Sequence, residues 1–84
     1  MVRRGKRRER TQRRYRALRA AVGLSQMDAA ERAGLGRSRY WRIENGYTTP
    51  TALERAKLAR IFRVDTAALD PEPVVLASAQ AVAS

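Results

Sequence analysis

Residues 37–42 read Arg-Ser-Arg-Tyr-Trp-Arg, so three guanidiniums, a hydroxyl and two aromatic rings share six positions. Guanidinium is permanently charged and donates in a fixed fork, which suits phosphates and paired planar acceptors. The chemistry available here is recognition of an anionic, acceptor-rich partner, not bond making. Little elsewhere in the chain competes with it. The sequence has no histidine and no cysteine, which removes imidazole catalysis, histidine pH switching and His- or thiolate-ligated metal sites. Its eight carboxylates are scattered, with neither a nucleophile–base pair nor a phosphate-cradling loop. No enzymatic activity, metal or cofactor is expected.

The charge balance points the same way. A net charge of +10 implies a polyanionic partner. Residues 1–19 carry ten basic groups against Glu9 alone, whereas residues 20–84 carry eight basic and seven acidic groups. The excess therefore belongs to an N-terminal device on a nearly neutral domain. Of the 18 basic residues 16 are arginine, a bias that a GC-rich coding genome also produces. At 84 residues one domain is expected, too small for a bulky substrate cavity or an evident small-molecule site. No apolar run approaches a membrane span, and the charged N-terminus lacks the apolar stretch of a secretory signal. The absence of cysteine fits a cytoplasmic location.

The elements that position residues 37–42 follow from local signals. Residues 1–10, "MVRRGKRRER", have little apolar surface and read as a mobile basic arm, with helix an option near its end. From Thr11 to Val22, Tyr15, Leu18 and Val22 recur at helical steps, and Gly23 stops the helix. Ser25 and Asp28 form a capping arrangement for a second helix, Gln26 to Ala33, which Gly34 ends. A third helix spans Arg37 to Asn45 and stops at Gly46. Thr51 and Glu54 cap a fourth through Phe62. A short fifth, Thr66 to Leu69, is expected with Asp65 as its cap. The domain division is then residues 1–10, 11–70 and 71–84. The tail "VVLASAQAVAS" is read as a docking strand, a helix extension, a dimerisation segment or frayed chain.

Two short helices joined by a three-residue turn have the helix-turn-helix format. Close crossing needs small contact residues, which Ala29, Ala30 and Ala33 supply, while Leu35, Tyr40 and Ile43 close the wedge. At 100° per residue Tyr40 and Ile43 face inward, while Arg37, Ser38, Trp41 and Arg42 face outward.

Gly23-Leu24-Ser25-Gln26, Ala30, Gly34, Ile43-Glu44-Asn45-Gly46, Pro50, Leu58-Ala59, Val64 and Leu69 together resemble the phage-repressor/Cro (XRE-type) helix-turn-helix family. The likeness covers about Leu18 to Leu69. It departs at Ala29 and Ala33, where larger aliphatics are usual, at Arg55, where leucine is commoner, and at Gly36, which replaces a Ser or Thr cap. The resemblance implies an all-α, five-helix domain that binds operator DNA, usually as a two-fold dimer. Half-sites would lie about one helical turn apart.

It also implies roles for single residues. Arg37, Ser38 and Arg42 match base-reading positions; arginine pairs with guanine O6 and N7, so guanine-containing half-sites are expected. Trp41 has several destinations open: a thymine methyl or sugar edge, a fold over Arg37, or a dimer contact. Gln26 matches a phosphate contact that can also brace the first side chain of the recognition helix, or is a solvated first-turn residue. Arg39, on the flank, is assigned to phosphate or to solvent. Asn45, Tyr47, Thr48 and Thr49 match a backbone-clamping loop, or simply end the helix. Glu44 is expected to pair with Arg19. Arg3, Arg4, Lys6, Arg7, Arg8, Arg10, Arg13 and Arg14 follow phosphates or a minor groove, or form a solubilising tail. Dimer contacts are expected from Val64, Leu69 and Val74-Val75-Leu76.

The leading expectation is a sequence-specific DNA-binding transcriptional regulator of a phage or bacterium, acting on the nucleoid in the cytoplasm. The alternatives are an antitoxin-type protein that binds a partner and autoregulates, and a non-specific nucleic-acid binder.

Overall fold

Two reciprocal caps fix the helix starts around which the rest is arranged. In the computed structural model, which describes residues 2–71 with side chains from Lys6 onward, the Ser25 hydroxyl accepts the Asp28 N–H at 3.0 Å and the Asp28 carboxylate accepts the Ser25 N–H. Thr51 and Glu54 make the same exchange at 3.1 and 2.8 Å. Four α-helices result: α1 (Val2–Val22), α2 (Gln26–Arg32), α3 (Arg37–Glu44) and α4 (Ala52–Phe62). Gly36 stands at the start of α3 without a side-chain cap bond. Gly34, at φ +69°, takes the left-handed conformation that turns α2 into α3.

The fifth helix is corrected to a single 3-10 turn, Thr66–Leu69, and Asp65 provides no side-chain cap for it. The reason lies at its end. Asp70 precedes Pro71 and is held extended at ψ 143°, so the turn cannot propagate. Arg55 secures it instead, donating to the Asp70 carboxylate at 2.9 and 3.2 Å and to the Thr66 carbonyl at 2.8 Å. The departure from leucine at this position thus exchanges an apolar contact for an ion pair that pins the 3-10 turn to α4.

The N-terminal segment is also corrected. α1 begins at Val2, so residues 2–10 continue the first helix and do not form a separate irregular segment. Arginine, lysine, glutamine and glutamate are good helix formers. Extending a helix already nucleated by packing of Tyr15 and Leu18 costs far less than starting one. The tail, including Val74, Val75 and Leu76, lies outside the described residues, as do the side chains of Arg3 and Arg4.

The core gathers Tyr15 and Leu18 of α1, Ala29, Ala30 and Ala33 around α2, Tyr40 and Ile43 of α3, Leu58, Ala59 and Phe62 of α4, and Leu69. Tyr15 meets Tyr40 and Phe62 edge-on at 6.4 and 6.0 Å between ring centres, a favoured aromatic geometry. Burial pushes the Tyr15 phenol up to about 12. The three alanines let α2 and α3 approach closely. At the end of α4, Arg63 adopts φ 60°, a left-handed cap without glycine, with the Val64 N–H bonded back to the Ala59 carbonyl at 3.0 Å.

Candidate nucleic-acid interface

The outward face of α3 is set by what holds its inward face. Glu44, in its last turn, is completely buried, and its two oxygens accept four hydrogen bonds. Arg19 Nε reaches Oε1 at 2.8 Å and Arg19 Nη2 reaches Oε2 at 3.0 Å; Gln26 Nε2 donates to Oε2 at 2.7 Å and the Tyr40 hydroxyl to Oε1 at 2.6 Å. Burial alone would raise the Glu44 pKa, but the donors from Arg19, Tyr40 and Gln26 hold it below the ordinary carboxylate value. The Tyr40 phenol is pushed up, chiefly by burial and then by its bond to Glu44. One carboxylate therefore joins α1, α2 and α3, and fixes the rotation of α3 against the domain.

With that side held, Arg37, Ser38, Trp41 and Arg42 are exposed on the other. They line an open cleft with Gln26, Met27 and Tyr40. Ion pairs among the described residues join Arg19 to Glu44, Arg39 to Glu54 and Arg55 to Asp70; none involves Arg37 or Arg42. Gln26 lies at the cleft's edge, but its amide N–H is directed to Glu44. Its place in the structure is therefore that of a brace for α3.

Arg39 has a role within the domain. Its Nη2 and Nε donate to the Glu54 carboxylate at 2.8 and 3.1 Å, and its Nη1 to Thr48 Oγ1 at 3.4 Å. The guanidinium beside Glu54, together with the Thr51 N–H, lowers that carboxyl to about 2. Arg39, with Thr48 beside it, thus clamps α3 to the start of α4 while its side chain stays partly exposed. Thr49 is exposed.

The loop after α3 is covered by α1. Asn45 accepts from Gln12 Nε2 through Oδ1 and donates to the Trp41 carbonyl at 2.9 Å. Tyr47 stacks on Trp41, ring centres 5.6 Å apart and planes 11° from parallel. The Arg8 guanidinium lies 5.0 Å from the Tyr47 ring centre, a cation–π contact. Trp41 therefore rests on Tyr47. Beneath this group Gly46 has φ +77°, and a β-carbon there would sit 2.9 Å from the Arg8 Cα. Only glycine lets α1 lie so close to the turn.

These cross-links were not anticipated from the motif, although one signal existed. Arg8, Gln12, Tyr15 and Arg19 follow one another at steps of four, three and four, a single helical face that runs upstream of Thr11. Along the rest of α1, Lys6, Arg7, Arg10 and Arg13 are exposed and Arg14 is half-buried. Among the described residues no acidic or other ligating side chains group to hold a metal ion, and no helix is long and apolar enough to cross a membrane.

Over residues 3–71 the chain matches the family described as a helix-turn-helix domain. No curated protein and no solved structure matches it.

Proposed function

This chain belongs to the helix-turn-helix domain family, and we propose that it is a sequence-specific DNA-binding transcriptional regulator of the repressor/Cro kind. The observation that carries this reading is the pair Arg37 and Arg42: both are exposed, and neither is matched by a carboxylate among the described residues, on a helix whose opposite face is locked by Glu44. Two cations without an internal partner, carried on an anchored helix, suit paired acceptors in the major groove. Arg37, Ser38 and Arg42 read base edges there, at half-sites containing guanine. The basic extension of α1, from Lys6 through Arg14, follows flanking phosphates. Two copies bind a two-fold operator, with half-sites about one helical turn apart. Its place of action is the nucleoid of a bacterial cell or of an infected host cell, and no enzymatic step belongs to this function.

Selection of bound duplexes from a random pool tests the proposal. A recovered motif with guanine in each arm of a palindrome is the expected result. A preference below about tenfold over unrelated duplex, measured at one stated salt concentration, refutes sequence-specific regulation and leaves non-specific binding. Shortening the chain to begin at Thr11 should flatten the log–log salt dependence by about 0.9 for each phosphate that the extension neutralises.

A further inference from the structure

We infer that Met27 and Trp41 read the 5-methyl group of a thymine lying beside the guanine held by Arg37 or Arg42. The inference rests on the proposal that α3 enters the major groove, and adds a base to what the cleft recognises. Met27 is 53% exposed and Trp41 48% exposed, and both line the cleft that contains Arg37, Ser38 and Arg42. Large apolar side chains in a cationic cleft need a partner that is apolar at one point and rich in acceptors around it. An apolar protein or lipid face does not qualify, because it would bury two guanidiniums without matching them. The major-groove edge of a base pair does qualify: thymine is the base that presents a methyl there, with the O4 acceptor beside it and N7 and O6 on a neighbouring guanine.

Trp41 is also set in place before any ligand arrives. Tyr47 covers its ring at 5.6 Å and 11°, and Arg8 backs Tyr47 at 5.0 Å. Tyr47 and Arg8 are thus positioning residues, and Trp41 offers the remainder of its surface to the cleft.

The test uses the full chain and a duplex carrying the selected motif, with each thymine replaced in turn by deoxyuridine, which removes only the methyl. Binding is followed by the anisotropy of a dye on the duplex end. One thymine per half-site is expected to show an affinity loss of about fourfold, the equivalent of one buried methyl group. Trp41→Ala and Met27→Ala, both at exposed positions, should bind more weakly and each shrink that loss towards none. The inference is overturned if no deoxyuridine weakens the wild-type complex, or if the loss persists undiminished in both variants. Replacing guanine by 7-deazaguanine separates the two readings, since an affinity loss there with no deoxyuridine effect leaves the arginine contact standing and removes the methyl contact. A pool that yields no motif overturns both.

Discussion

Replacing Gly46 by alanine tests whether the N-terminal extension is docked on the turn after α3. The backbone there has φ +77°, and an L-residue held in the left-handed region costs about 1 kcal/mol or somewhat more. The new β-carbon would also lie 2.9 Å from the Arg8 Cα and 3.0 Å from its Cγ. Backbone cannot move aside as a flexible side chain can, and overpacking of this kind adds about 1–3 kcal/mol. The full chain should therefore be destabilised by about 2–4 kcal/mol. In a chain shortened to begin at Thr11, Arg8 is gone and only the dihedral cost of about 1 kcal/mol remains. Urea unfolding of four proteins, followed by circular dichroism, closes the cycle: parent and Gly46→Ala, each with and without the extension. The difference between the two backgrounds measures whichever is smaller, the clash or the free energy that holds the extension down. Equal destabilisation in both backgrounds would refute the docked geometry.

The remaining predictions concern the ion pairs and the end of α4. Arg19→Met leaves the fully buried Glu44 without its cation and should cost about 3–5 kcal/mol in urea unfolding; a cost below about 1 kcal/mol, that of an exposed pair, would mean that the carboxylate finds other compensation. Arg63→Gly relieves a left-handed arginine and should stabilise by about 0.5–1 kcal/mol after the extra chain entropy of glycine is counted. A fall in the urea midpoint would contradict it. Acid should weaken the fold in a defined window. The carboxyls of Glu44 and Glu54 both lie below the ordinary 4.5, Glu54 at about 2. Depressed folded values mean that their stabilisation is present above 4.5 and is lost as pH falls below it, for Glu54 as pH approaches about 2. The Tm should drop across that interval, less steeply in Glu54→Gln, and a flat profile would count against both networks.

The parts of the fold that were readable from sequence are those in which cause and effect lie within a few residues. Ser25 with Asp28, Thr51 with Glu54, and Gly34 at the turn each act locally, so a short window contains the whole cause. The outward set Arg37, Ser38, Trp41 and Arg42 was also readable, because helical period alone separates it from Tyr40 and Ile43. The partners of Arg39 and Tyr47 were not. Whether Arg39 meets Glu54, or Tyr47 meets Trp41, depends on the path of residues 45–51 in space, which no periodicity encodes. The first ten residues misled for a different reason. Their lack of apolar surface argues for disorder when they are taken alone, yet residues 2–10 extend a helix whose later turns are packed. The fifth helix has the expected bounds, but it is a 3-10 turn that Pro71, acting on Asp70, keeps from propagating, and Asp65 gives it no side-chain cap.

The position of Trp41 has an optical consequence. It is the chain's single tryptophan, and it is already half in water, with Tyr47 stacked on it and Arg8 behind that ring. Its emission should shift little when the domain unfolds, so fluorescence is a poor thermometer of this fold. Occupation of the cleft, by contrast, changes the surroundings of that one indole directly. The protein carries its own unlabelled indicator of ligand engagement.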